Sequence, residues 1–556
     1  MSNEIETQIN NDLAAFVQDP KTFMNRQPQK FDAAGKPITG KTLFSQSAIA
    51  NRRFVEAHDQ QRVALLLPGD QEPDDVGTRA AIAANDKPVN LVDTFKYTTL
   101  ETIEAAGLMK ASLTESPWSD DYWGIYKGIL GARYADPNFP SDPDWKKNYD
   151  YIRANPASTI LASGDSKRIN RLSPAEKYDA LVGDTSESLT RALWNEGKGY
   201  YDASGSVEGW MGICHGWAPA AYVLARPTKS VTLKTPSNIA ITFYPSDIKA
   251  LGSLLWANAA GNVKFIGGRC SDKAPAADPN TGRVKSADCF DTNPGAWHLS
   301  VVNQIGAAKR SMVMDVTYDY EVWNQPVHAY EYRYFNPQNM LYATNLAAAK
   351  IDMTAFTSDK FRSYRSPQAK FVVGVQMTVS YIVETTPTHA ETDSPSNDAI
   401  QKVVYYYDLE LDAAGTVIGG EWYTNKHPDF LWTPAKGVRA VTRYDAQATG
   451  TWNQTDTVPS AWRTAAKSAS STQSSPLAVI VESLIKFANA GRTTTPTTPT
   501  TPTTPTTPTT PTTPTTPTTP TTPTTPTTPT TPTTPTTPTT TGNSTWLGRM
   551  LRRWFG

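Results

Sequence analysis

From residue 493 to 541 the chain is an almost unbroken Thr-Thr-Pro repeat. Proline at every third position fixes φ and removes a backbone donor. The stretch can therefore enter neither a helix interior nor a central strand, and it is expected to run as extended polyproline II, about 150 Å long at about 3.1 Å per residue. Whatever packs into a core must lie before it. The repeat reads as a linker or stalk whose threonines offer sites for O-linked sugar. Residues 542–556, GNSTWLGRMLRRWFG, place Trp546, Leu547, Met550, Leu551, Trp554 and Phe555 on one helical face, with Arg549, Arg552 and Arg553 on the other. This basic amphipathic peptide is expected to meet an anionic membrane surface or an export receptor through residues 546–555.

The preceding residues have what a core needs: the 556-residue chain is 39% hydrophobic and 10% aromatic. Its 52 basic and 53 acidic side chains leave no net field to recruit nucleic acid, which is excluded as a partner. No apolar run reaches the roughly 18 residues of a membrane span, and MSNEIETQINNDLAAF has neither the basic start nor the apolar stretch of a secretory signal. Residues 1–110 carry few motifs and read as an N-terminal helical, propeptide-like region. Dense aromatics begin at Trp118, and in LSPAEKYDALVGD Ser173 is placed to cap a helix with Pro174 in its first turn. Beyond Trp297, HLSVVNQI, RSMVMDVTYDYEVW, KFVVGVQMTVSYIVET and KVVYYYDLELDAAGTVIGGEWY read as strands, the last folding back over residues 412–415. Helices first and antiparallel strands after them give an α+β class for residues 111–490, suited to a papain-like or transglutaminase-like core.

Three cysteines are present. Cys270 and Cys289 bracket a polar loop and are expected to form a disulfide, the alternative being three reduced structural thiols. Cys214, in GWMGICHGWAPAAYVLAR, precedes an apolar helical run. Pro219 fits only a first turn, so the helix is expected to start near Gly216 to Ala218 with Cys214 at its mouth, where helix-end N–H groups and an imidazolium would favour thiolate. Gly212 and Gly216 would allow a sharp entry; the plain alternative is a buried small hydrophobe. Of the six histidines, His298 is expected to open a strand of a hairpin that stands Asp315 opposite it, with Asp319 on the same face in reserve. Backbone N–H of Cys214 and the indole of Trp194 or Trp210 are the candidate oxyanion donors.

The blocks WMGICHGWAPAA, SPWSDDYWGIYKG, LSPAEKYDALVGD, VWNQPV and GGEWYTNKHPDFLW occur in an order that resembles the transglutaminase elicitor family of oomycete cell walls, with relatives in marine bacteria. The resemblance covers about residues 110–435. VWNQPV resembles the start of that family's plant-recognised surface peptide, from which HAYEYRYF then departs. What the resemblance implies is a secreted or cell-surface protein-glutamine γ-glutamyltransferase with a triad of Cys214, His298 and Asp315. It would form a thioester with glutamine side chains and pass the acyl group to lysine amines of protein substrates. Calcium is left open, since animal transglutaminases need it, some microbial ones do not, and no loop has EF-hand spacing. The alternatives are a papain-like cysteine peptidase and a non-enzymatic cell-wall-binding or adhesion protein.

Overall fold

The computed structural model describes residues 2–38, 82–83, 86–259, 261–268, 275–286, 289–316 and 322–491. The Thr-Pro repeat, the basic tail, His58, Cys270 and Asp319 lie outside them. The N-terminal segment forms α1 (Ser2–Gln18), α2 (Pro20–Met24) and β1 (Lys30–Asp32). Asp19 caps α2 by accepting the Thr22 N–H, and Pro20 takes its first position, where no donor is needed.

A helical layer follows. α3 (Pro174–Leu181) opens with the expected cap: Ser173 accepts the Glu176 N–H at 3.2 Å, and Glu176 accepts the Ser173 N–H at 2.9 Å. α4 (Ser188–Ser204), α5 (Cys214–Val223) and α6 (Pro245–Ala259) complete the layer around the site. α5 packs on α6 so closely that a Cβ on Gly216 would lie 2.2 Å from the Ser253 carbonyl oxygen. α6 is also tied to α3 by a fully buried Lys177–Asp247 ion pair at 2.6 Å.

The strands are β2 (Lys110–Ser112), β3 (Val231–Lys234), β4 (Ala240–Phe243), β5 (Val263–Gly267), β6 (Val313–Asp315), β7 (Asn324–Asn336), β8 (Leu341–Ala343), β9 (Ile351–Asp352), β10 (Phe371–Val383), β11 (Ala399–Leu411), β12 (Val417–Trp422) and β13 (Phe430–Pro434). Together with β1, ten of them form one sheet in the order β1-β11-β10-β7-β6-β13-β5. β12 is added to β11, β2 and β8 to β7, and β9 to β10, while β3 and β4 pair apart. Every pairing is antiparallel, giving the α+β class. The period-two alternation divides β7 and β11 between two cores. Tyr330, Tyr332, Val375, Met377, Tyr405 and Tyr407 face a cluster with Trp297. Tyr406 and Phe335 face the other way, onto Leu13, Phe16 and Phe23 of the N-terminal helices. The β11–β12 turn falls where expected, with Gly415 at φ +80°, a conformation costly for other residues.

Two expectations fail. HLSVVNQI is not a strand: it lies in α7 (Pro294–Val301), which continues as a π-helical turn over residues 302–307, so no hairpin stands Asp315 opposite His298. Asn293 caps α7 and Pro294 occupies its first position. The helix is buried on every side, so its apolar residues show no helical stripe and mimic a strand. The segment VWNQPV is not a surface peptide, because Asn324, Gln325 and Val327 are buried where β7 enters the middle of the sheet. The chain then returns to the helical layer, α8 (Ser460–Gln473) packing on α4 and α9 (Ala478–Ala488) on α6.

Candidate active site

Cys214 is the first residue of α5 and a free thiol. The helix begins earlier than Pro219 suggests: Pro219 sits in its second turn, depriving the His215 carbonyl of a helical donor. Nor do the two glycines serve a sharp entry. A Cβ on Gly212 would meet the Tyr122 carbonyl oxygen at 2.4 Å and one on Gly216 would meet α6, so both allow close packing around the cysteine. Upstream, the Ile213 N–H donates to the Tyr122 carbonyl at 2.7 Å. That loop is itself held by Asp120, which accepts from the Trp123 indole and the Ser253 hydroxyl, each at 3.0 Å.

Among the described residues the Cys214 sulfur has two hydrogen-bond partners. The thiol donates to the Val322 carbonyl at 3.8 Å and accepts from the Asn324 side-chain N–H at 3.6 Å. Asn324 pairs with Asp315 across β6 and β7, and the Asp315 carboxylate accepts the Trp323 N–H at 3.0 Å. The Asn324 amide oxygen in turn accepts the Trp432 indole N–H at 2.8 Å. Next along β7, Gln325 donates to Glu384 at 2.7 Å. The Tyr122 and Trp323 rings, from the segments that bear on Ile213 and Asn324, meet with their centroids 5.3 Å apart.

Burial pushes the Cys214 thiol up to about 11; the bonds from Asn324 act against that, and the charges of Glu384 and Asp315 reinforce it. Loss of water at this 5%-exposed residue works against the thiolate that the helix terminus was expected to favour. Burial likewise raises Glu384 to about 8, countered by its bond from Gln325 and by the Lys30 charge. Lys30, at the start of β1, is lowered to about 8 by burial against the pull of Glu384 and Asp315.

The arrangement brings Cys214 and Asp315 into one electrostatic neighbourhood and leaves His298 elsewhere. The His298 Nδ1 pairs with the Tyr407 hydroxyl at 2.9 Å, its ring meets Tyr332 edge-on at 4.8 Å, and its Nε2 has no partner among the described residues. Burial alone drives it down to about 3, so it is neutral and supplies no cation to the sulfur. Of the proposed oxyanion indoles, Trp210 donates to Glu208, while Trp194 packs against Trp145 and Tyr149 over Gly128 and Gly131, its N–H without a hydrogen-bond partner among the described residues. His215 faces the Ala257 backbone of α6, and His427 stacks on Trp422 at 4.6 Å. Among the described residues no group of three or more His, Cys, Asp or Glu is arranged to hold a metal ion.

Sequence reasoning missed Asn324, Trp432, Tyr122 and Glu384. The first three had a signal, since each lies in one of the separated family-like blocks: VWNQPV, GGEWYTNKHPDFLW and SPWSDDYWGIYKG. Glu384, in YIVETTP, had none.

The family model for transglutaminase elicitor matches residues 89–445, more than half of the chain. The crystal structure of the GP42 transglutaminase from Phytophthora sojae is similar at 22% identity and a TM-score of 0.45, covering 71% of this chain and 94% of that one. No curated protein was found to match the chain in sequence.

Proposed function

Because the chain belongs to the transglutaminase elicitor family, we propose that it is a protein-glutamine γ-glutamyltransferase whose nucleophile is Cys214. The observation that carries this reading is the free Cys214 thiol at a helix N-terminus, held between a carbonyl and an amide N–H with carboxylates close by. In the proposed reaction, sulfur loses its proton and bonds to the γ-carbonyl carbon of a peptide glutamine. The carbon–nitrogen bond then breaks as ammonia leaves with an added proton. A lysine amine next attacks the thioester carbon, sheds a proton and releases the sulfur, leaving an isopeptide bond. Water in place of the amine gives deamidation.

The triad proposed for these proton transfers is Cys214, His298 and Asp315. For His298 to act as base its ring must leave Tyr407 and reach the sulfur, because a base works at hydrogen-bond range. Glu384 is the competing base: Cys214 senses its charge and its proton affinity lies near neutrality, but its carboxylate, bonded to Gln325, must likewise come within hydrogen-bond range of the sulfur. The two assignments separate by mutation. Loss of turnover in His298→Ala with Glu384→Gln active supports the triad, and the opposite pattern supports Glu384.

The deciding experiment is incorporation of a fluorescent primary amine into a glutamine-bearing protein, with and without calcium and after limited proteolysis. Wild type should incorporate amine and Cys214→Ala should not. Peptide-bond cleavage without incorporation would instead make it a cysteine peptidase, and neither activity would favour a wall-binding protein. The proposal also takes the protein to be secreted or at the cell surface, with a Cys270–Cys289 disulfide and a tail that meets a membrane or export receptor. Mass mapping of the disulfide under non-reducing conditions, and liposome binding with residues 542–556 deleted, test those two features.

A further inference from the structure

We infer that Asn324 is a catalytic residue of this acyl transfer, its side-chain N–H stabilising the Cys214 thiolate while the Trp432 indole holds the amide in that orientation. The inference rests on Cys214 being the nucleophile. Its geometry is fully specified. An indole nitrogen only donates, so the atom of Asn324 that meets it at 2.8 Å must be the amide oxygen. The NH2 group then necessarily faces the sulfur, 3.6 Å away. Trp432 lies on β13, paired with Val313 of β6, and Asn324 is set by the Asp315 pairing of β6 with β7. Three strands thus converge to aim one donor.

The chemistry gives that donor a differential role. A neutral thiol is a weak acceptor, so a buried amide (Asn324 is 5% exposed) gains little from it, whereas a thiolate accepts strongly. When the proton leaves, the Val322 carbonyl, until then an acceptor for the thiol, repels the sulfur, and Glu384 and Asp315 oppose the charge as well. Asn324 is what opposes them, since both its side chain and its backbone favour the charged form. An interaction that strengthens as charge develops accelerates the step instead of merely tightening binding. Trp432 acts through Asn324 and is a positioning residue.

The test measures two quantities on Asn324→Ala, Asn324→Asp and Trp432→Phe in the full chain: the pH dependence of Cys214 alkylation by iodoacetamide, and kcat and KM for amine incorporation. Asn324→Ala should move the alkylation midpoint upward, each unit lowering the thiolate about tenfold at a fixed pH below it. It should also lower kcat on the order of 100-fold with KM within a few-fold. Asn324→Asp should be at least as damaging, and Trp432→Phe should show the same signature at about tenfold. A folded Asn324→Ala with an unchanged alkylation profile and kcat within twofold of wild type overturns the inference. If that variant does not fold, an unchanged profile and kcat in Trp432→Phe overturn it equally. Failure of the underlying reading looks different: Cys214→Ala would retain amine incorporation.

Discussion

At the scale of single residues, the site is governed by desolvation. Burial raises Glu384 to about 8 in the fold, against an ordinary carboxyl value of 4.5. The folded protein therefore holds more protons than the unfolded chain between those values, and this group's contribution to stability declines as pH rises through that window. Glu384→Gln keeps an oxygen for the Gln325 amide to donate to and removes the charge. Its melting temperature relative to wild type should rise from pH 5 to pH 8.5; a difference that stays constant with pH would refute the burial argument. His298 works in the opposite sense. Burial lowers it to about 3, below the ordinary imidazole value of 6.5, so the unfolded chain binds the extra proton and stability is lost as pH falls from about 6.5 toward 3. The thiol follows the same logic: iodoacetamide should label Cys214 slowly at pH 7 and progressively faster toward pH 11.

At the scale of elements, the decisive contact is α5 against α6. Gly216 permits it, because the Ser253 carbonyl oxygen lies where a Cβ would be and backbone cannot yield as a flexible side chain does. Gly216→Ala should cost on the order of 2–3 kcal/mol and, by pushing α5 outward, slow amine incorporation. Thermal unfolding and the amine assay check both, and a wild-type melting temperature would show that the helices separate freely. The same element shows why its start was misjudged. Local rules put proline in a first turn, but packing of α5 against α6 and β7 holds a helix through Pro219 and absorbs the lost bond.

At the scale of the whole molecule, the N-terminal segment belongs to the folded body. β1 extends the sheet beside β11, Asp12 accepts from the Tyr406 hydroxyl at 2.8 Å and bonds Arg26, and Phe16 stacks on Tyr423 at 4.6 Å. Deleting residues 2–38 would expose that aromatic face and an unpaired strand edge. The deletion variant is expected to melt lower, bind a hydrophobic dye and aggregate. A variant of unchanged melting temperature and higher amine incorporation would instead vindicate the reading of this region as a detachable propeptide.

What the sequence determined by itself was whatever depends on neighbours along the chain. Ser173 with Glu176 specifies a cap, the alternation in β10 to β12 specifies strands and their turn at Gly415, and Cys214 stands out at a helix start. Separated blocks in order pointed to the family. The tertiary structure decided which of these residues meet. α7 was illegible because full burial erases the periodicity that separates helix from strand, and with it went the expected facing of His298 and Asp315. The partners of the sulfur, Asn324 at 110 positions' separation and the carboxylates of Asp315 and Glu384, come together only because sheet register and helix packing join distant segments. The raised pKa values of Cys214 and Glu384 follow from water excluded by that packing, a quantity carried by no single stretch of sequence.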